Sequence, residues 1–174
     1  MIPNLLSLLR IFLAIPVLVL FSQGYYFSAT VLFISAALTD LLDGYLARKY
    51  KLDSDLGSLL DLIADKILVT IVIIWLASYF NSTVLIVFSI LIISRELIIS
   101  HIRAFMAGEK LELIKMRADS FGKIKTFAQM TGISCLIASP MFGSFFFDFS
   151  ILVLLLSVIL SYISLFNYLR EWHD

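Results

Sequence analysis

Long apolar stretches dominate this sequence and determine the solvent in which the chain folds. A helix needs roughly 20 predominantly apolar residues to cross a bilayer. Read with a window of about 19 residues, the sequence predicts helices at Leu5–Phe21, Tyr26–Tyr50, Ser58–Phe80, Thr83–Phe105, Phe121–Ser139 and Phe146–Leu169. Hydrophobic residues make up 61% of the chain and charged residues 15%. The sequence therefore predicts an all-α, polytopic integral membrane protein, with six transmembrane helices and a single domain over residues 1–174.

The basic residues predict how these helices are oriented. All thirteen Lys and Arg residues lie near the N-terminus, around the second and fourth connections, or after the last helix. The other connections, near Ser22–Gly24, Asn81–Ser82 and Pro140–Ser144, contain none. Because basic residues favour the cytosolic side, we expect both termini to be cytosolic. A secretory signal at Arg10 and the apolar run after it is the alternative for the first helix, but no small-x-small cleavage site follows.

Four aspartates interrupt two of the apolar helices. An acidic residue at the centre of a spanning helix costs roughly 2.5 to 3.5 kcal/mol, so such residues normally mark a functional site. They belong to the pattern Asp40-x2-Asp43-Gly44-x2-Ala47-Arg48-x8-Gly57-x3-Asp61-x3-Asp65. Helical geometry puts Asp40 and Asp43 on one stripe of the second helix, and Asp61 and Asp65 on one face of the third. We expect the two pairs to form one pocket in the cytosolic leaflet.

Four ionised carboxylates in a low dielectric repel one another and take up protons unless cations join them. Two divalent ions would balance their charge, and oxygen ligands favour magnesium, manganese or calcium over zinc. A pair of such ions is suited to displacement at phosphorus. Arg48 adds a positive charge for a phosphate oxygen. The alternative is that the acids only form ion pairs with Arg48, Lys49 and Lys66.

The eight fixed positions of this pattern resemble the signature of the CDP-alcohol phosphatidyltransferase family. The resemblance implies a six-helix membrane enzyme in which a CDP-linked lipid binds two divalent cations, Mg²⁺ or Mn²⁺, and an alcohol displaces CMP. It further implies that Asp40 and Asp61 bridge both metals and that Asp43 holds the first. Asp65 would hold the second metal and act as the catalytic base, which is general-base chemistry.

The resemblance also implies which residues contact the nucleotide part of the donor lipid. These are Asn4, Ser7, Gly44, Arg48, Ser54 and Gly57. For Asn4 a second reading stays open, because an asparagine near the start of a helix is also a common N-cap.

Charges outside the acidic pattern predict the site of the attacking alcohol. Arg95 and Glu96 lie about ten residues inside the fourth helix, and adjacent residues do not face each other on a helix, so we expect each to have its own partner. With Arg103, Lys123 and Lys125, Arg95 is predicted to bind an anionic acceptor such as a polyol phosphate. The alternative is that the lysines are cytosolic charges and headgroup anchors.

Within the family, the residues around Arg95 and in Gly122–Gln129 are most similar to those of bacterial members that use glycerol 3-phosphate. The resemblance therefore implies CDP-diacylglycerol as donor, glycerol 3-phosphate as acceptor, a prokaryotic inner membrane and a homodimer. Members with other acceptors share the eight-residue signature, so it does not separate them. A cation transporter is a remote alternative, but it should show internal repeats or acids near the midplane.

Overall fold

The computed structural model describes residues 2–50, 55–108 and 120–173, and the side chains of residues 10–39, 63, 64, 66–102, 124–167, 169 and 170. The described residues form six α-helices: α1 (Ile2–Ser22), α2 (Tyr26–Tyr50), α3 (Asp55–Tyr79), α4 (Thr83–Gly108), α5 (Ser120–Phe142) and α6 (Ser144–His173). The predicted all-α fold and helix order are confirmed. The differences lie at helix ends: every helix except α2 extends a few residues beyond its predicted apolar stretch at one end or both, and α3 ends one residue early at Tyr79.

Tight turns join α1 to α2, α3 to α4 and α5 to α6. Gly24 (φ 85°), Asn81 (φ 46°) and Gly143 (φ 82°) each adopt a left-handed backbone conformation at one of these turns. Glycine and asparagine are the residues that tolerate this conformation best at the end of a helix. The three connections that lack Lys and Arg are thus short hairpin turns, which makes the helices of each pair antiparallel neighbours.

The described helices carry large apolar side chains on their outer surfaces. Phe27, Phe145 and Phe166 are each at least 67% exposed. The segments Thr83–Ile102 and Ser144–Asn167 are long and apolar enough, by length and composition, to cross a membrane. Shorter apolar segments occupy parts of α1, α2 and α3 in the described residues. Apolar side chains around the outside of a helical bundle are typical of proteins that face lipid.

Four helices surround the region that carries Arg95, Glu96 and Lys125. Among the described residues, α3 packs on α4 and α5, and α6 packs on the same two helices. The helices α3, α4, α6 and α5 therefore form a ring, while α1 packs beside it on α2 and α3. Gly132 brings α5 close to α6, since a Cβ atom there would lie 2.8 Å from Leu154 Cγ. Small residues commonly allow such close helix packing in membrane proteins.

Candidate active site

The backbone supports the helical arrangement predicted for the four aspartates. Asp40 and Asp43 lie in α2, and Asp61 and Asp65 lie in α3, so each pair has the helical spacing that places its members on one face. The side chains of all four lie outside the described ones. The same holds for the side chains of Asn4, Ser7, Arg48, Arg103 and Lys123, and of Gly44 and Gly57 only the helical backbone is described. Ser54 lies outside the described residues altogether.

Glu96 is the centre of a cluster of described charged side chains. Lys125 Nζ from α5 lies 2.5 Å from Glu96 Oε1, and Lys66 Nζ from α3 lies 3.8 Å from Glu96 Oε2. Arg95 Nη1 also donates to Glu96 Oε1, at 2.7 Å. One carboxylate thus contacts three cationic groups from α3, α4 and α5. Among the described side chains, the cluster therefore holds three positive charges and one negative charge.

Arg95 extends from this cluster toward α6. Its Nε donates to the carbonyl oxygen of Ser161 at 3.1 Å, and its Nη2 lies 3.4 Å from Ser164 Oγ. The residue is 4% exposed, so these contacts satisfy a deeply buried guanidinium. The expectation that Arg95 and Glu96 each have their own partner is confirmed, since Arg95 bonds α6 and Glu96 contacts Lys66 and Lys125; the two side chains also contact each other. The long arginine side chain reaches the adjacent carboxylate while its other nitrogen atoms bond α6.

Contacts of Lys66 and Lys125 connect α3 and α5 to the other helices of the ring. Lys66 Nζ donates to Ser100 Oγ on α4 and lies 3.4 Å from the Glu96 carbonyl oxygen. On α5, the carbonyl oxygen of Lys125 accepts a hydrogen bond of 3.1 Å from Ser157 Oγ of α6. Only 7% of Lys125 is exposed. The cluster therefore ties together all four helices that surround it.

A small pocket with a cavity volume of about 60 Å³ opens beside this cluster. The described residues that line it are Lys66, Val69, Thr70, Ile92, Glu96, Lys125, Thr126, Gln129 and Met130. Two ammonium groups and one carboxylate give this lining a net positive charge, while its threonines and glutamine supply hydrogen-bonding groups. Such a surface is suited to a small anion that carries hydroxyl groups.

The pocket lies far from the turn between α3 and α4, and one of its lining residues is adjacent in sequence to the acidic pattern. Lys66 lies thirteen residues before the end of α3 at Tyr79, and Glu96 lies thirteen residues after the start of α4 at Thr83. At 1.5 Å per residue, both are about 20 Å from the turn that joins these helices. Lys66 directly follows Asp65. The pocket wall and the last aspartate of the pattern are thus neighbours on α3.

The structure brings together two of the four residues predicted for the acceptor site, Arg95 and Lys125, through their shared contact with Glu96. Sequence reasoning did not assign Lys66 or Glu96 to that site. For Lys66, the available signal was its position immediately after Asp65. For Glu96, the signal was an acidic residue deep in an apolar helix, which normally requires a basic partner.

Comparison with known proteins identifies the family. Residues 1–165 match the family model described as CDP-alcohol phosphatidyltransferase. A protein from Wigglesworthia glossinidia brevipalpis is 37% identical over 180 residues, covering 99% of this chain and 96% of its own. One from Pectobacterium atrosepticum is 34% identical over 173 residues, covering 97% and 93%. A third, from Pseudomonas fluorescens, is 34% identical over 172 residues, covering 97% and 88%.

All three relatives carry the name CDP-diacylglycerol–glycerol-3-phosphate 3-phosphatidyltransferase. No solved structure gives a significant match to this chain. The family match covers α1 to α5 and most of α6, including the whole acidic pattern and the cluster around Glu96. This chain belongs to the CDP-alcohol phosphatidyltransferase family.

Proposed function

We propose that this protein transfers the phosphatidyl group of CDP-diacylglycerol to sn-glycerol 3-phosphate, giving phosphatidylglycerol phosphate and CMP. The proposal is carried by one structural observation: a small pocket, whose described lining residues include Lys66 and Lys125, begins at the residue after Asp65. The names of the relatives from three bacteria support the same acceptor.

The pocket lining matches the two chemical features of glycerol 3-phosphate. Its phosphate requires cationic donors, which Lys66 and Lys125 supply from two helices. Its hydroxyl groups require hydrogen-bonding partners, and Thr70, Thr126 and Gln129 lie on the same lining. We propose that the nucleophilic hydroxyl points toward Asp65, which takes its proton as the hydroxyl oxygen attacks phosphorus. Arg103 and Lys123 complete the proposed set of acceptor-binding residues.

For the donor, we propose that Asp40, Asp43, Asp61 and Asp65 hold two divalent cations, Mg²⁺ or Mn²⁺. These metal ligands fit such ions, since all four are carboxylates, in two pairs with helical spacing on α2 and α3. When bound, the ions supply Lewis-acid polarisation of the diphosphate oxygens and of the acceptor hydroxyl. Asn4, Ser7, Gly44, Arg48, Ser54 and Gly57 are proposed to orient the cytidine diphosphate part.

We propose that all six helices span the membrane, with both termini and the active site facing the cytosol. The support is the charge asymmetry, since the three short turns lack Lys and Arg and the opposite ends carry them. A prokaryotic inner membrane is the proposed location and a homodimer the proposed assembly. The acyl chains of the donor would remain in lipid while its headgroup enters from the water side.

The direct test is release of CMP from CDP-diacylglycerol by the purified protein in detergent with Mg²⁺. CMP release should depend on glycerol 3-phosphate, and serine, inositol phosphate and phosphatidylglycerol should not replace it. Greater activity with one of those acceptors would assign this chain to another member of the family. Absence of acceptor-dependent CMP release, together with cation flux in vesicles, would support a transporter instead.

A further inference from the structure

Glu96 is a pocket-lining carboxylate at a place where the proposed substrate brings a phosphate. We propose that Glu96 is a positioning residue that holds Lys66 and Lys125 in place for the acceptor phosphate, and that Arg95 acts on the acceptor only through Glu96. This inference rests on the proposed function, because it assigns roles within the acceptor site of that reaction.

The contacts of the two lysines support the first half of the inference. Lys66 and Lys125 come from different helices, and Glu96 is the described carboxylate that contacts both. Without a negative charge near them, two ammonium groups on one pocket wall repel each other. Burial adds to this, since Lys125 is 7% exposed and a buried ammonium is unfavourable without a counter-charge. Glu96 thus supplies a negative charge to both lysines and aligns them before the acceptor arrives.

The contacts of Arg95 support the second half. Its guanidinium bonds the Ser161 carbonyl oxygen and Ser164 on one side and Glu96 on the other. Arg95 is also not among the described residues that line the pocket. A planar guanidinium has a fixed fork of donors, so these three contacts define its orientation. Arg95 therefore fixes the Glu96 carboxylate relative to α6.

A competing role for Glu96 makes the opposite prediction. A carboxylate in a phosphate pocket also repels the phosphate, and if this repulsion dominated, removing the charge would lower the KM for the acceptor. If Glu96 positions the lysines, removing the charge raises that KM. The sign of the change in KM therefore separates the two roles.

The first experiment measures steady-state kinetics of Glu96→Gln with both substrates varied. We expect the KM for glycerol 3-phosphate to rise by about tenfold or more, the order of effect when a partly buried, charged hydrogen-bond partner is lost. The KM for CDP-diacylglycerol should change by less than about twofold, because Glu96 acts on the acceptor side. Glu96→Asp keeps the carboxylate and should give a smaller rise than Glu96→Gln.

The matched control is Asp148→Asn, which removes an exposed carboxylate from the second turn of α6. It should leave both KM values unchanged. If Glu96→Gln does not fold, Glu96→Asp carries the test on its own, with a raised acceptor KM and an unchanged donor KM as the expected result. An unchanged or lowered acceptor KM in the Glu96 variants, or equal rises in both KM values, would overturn the inference.

The second experiment is a double-mutant cycle with Arg95→Gln, Glu96→Gln and the double variant. If Arg95 acts only through Glu96, the acceptor KM of the double variant should equal that of Glu96→Gln within about twofold. Effects that multiply would show that Arg95 makes its own contact with the acceptor, and would overturn its assignment. Wild-type protein without acceptor-dependent CMP release would refute the proposed function itself, which is a different result from wild-type activity with unaffected Glu96 variants.

Discussion

Arg95 and Glu96 are consecutive residues of α4, and Arg95 Nη1 lies 2.7 Å from Glu96 Oε1. Apart from this contact, the two side chains interact with different neighbouring helices. Glu96 lines the pocket between α3, α4 and α5, whereas Arg95 bonds the backbone of α6 at Ser161. One turn of α4 therefore links the pocket to the helix behind it.

Changing Asp65 to Asn should abolish turnover while largely preserving donor binding. An amide cannot take the proton of the attacking hydroxyl, and loss of a general base reduces turnover by about 10²-fold to 10⁴-fold. The measurements are CMP release at saturating substrates and equilibrium binding of CDP-diacylglycerol in detergent. Retained turnover would remove Asp65 from the role of base.

Changing Arg95 to Ala should raise the KM for the acceptor far more than the KM for the donor. The variant releases Glu96 from α6, and Glu96 is the carboxylate that contacts Lys125 in the pocket wall. Steady-state kinetics with each substrate varied in turn would test this. An equal effect on both KM values would show that Arg95 does not act on the acceptor site.

Removal of divalent cations should reduce CMP release to background. Four aspartates on α2 and α3 supply only carboxylate ligands, so excess chelator should inactivate the protein and Mg²⁺ or Mn²⁺ should restore activity. In the Asp61→Asn variant, a higher metal concentration should be needed to restore half-maximal activity. Activity that persists after exhaustive chelation would contradict the proposed metal site.

Changing Gly132 to Ala should destabilise the contact between α5 and α6. The added Cβ would lie 2.8 Å from Leu154 Cγ and 3.3 Å from its backbone nitrogen, and overpacking of this kind costs typically about 1 to 3 kcal/mol. Thermal unfolding in detergent should show a lower midpoint. In a Leu154→Ala background, where the clash is removed, the same Gly132→Ala change should lower the midpoint less. An unchanged midpoint in the single Gly132→Ala variant would show that the helices adjust freely.

Hydropathy predicted the fold well because a membrane leaves few alternatives to helices. Every predicted apolar stretch corresponds to one observed helix, and the turns at Gly24, Asn81 and Gly143 fall at the predicted connections. The helix ends were less predictable, since polar residues such as those at the end of α6 continue the helix beyond its apolar part. Helical spacing also predicted how the aspartates are distributed over α2 and α3.

The partners within the candidate site were harder to predict. Contacts between Lys66 and Glu96, or between Arg95 and Ser161, depend on how α3, α4 and α6 pack side by side. Hydrophobic periodicity shows that a helix has neighbours without showing which neighbours they are. The sequence does not indicate that Ser161 and Ser164 contact Arg95, because serine is common in membrane helices.

The ring of α3, α4, α6 and α5 is held together by the same polar contacts that shape the acceptor pocket. The proposed function therefore couples the choice of alcohol to the integrity of the bundle. A homologue that switches to a neutral acceptor cannot simply discard these charges. It must replace them with another stabilising contact between α4 and α6. That replacement should be visible as a paired change at Arg95 and Ser164.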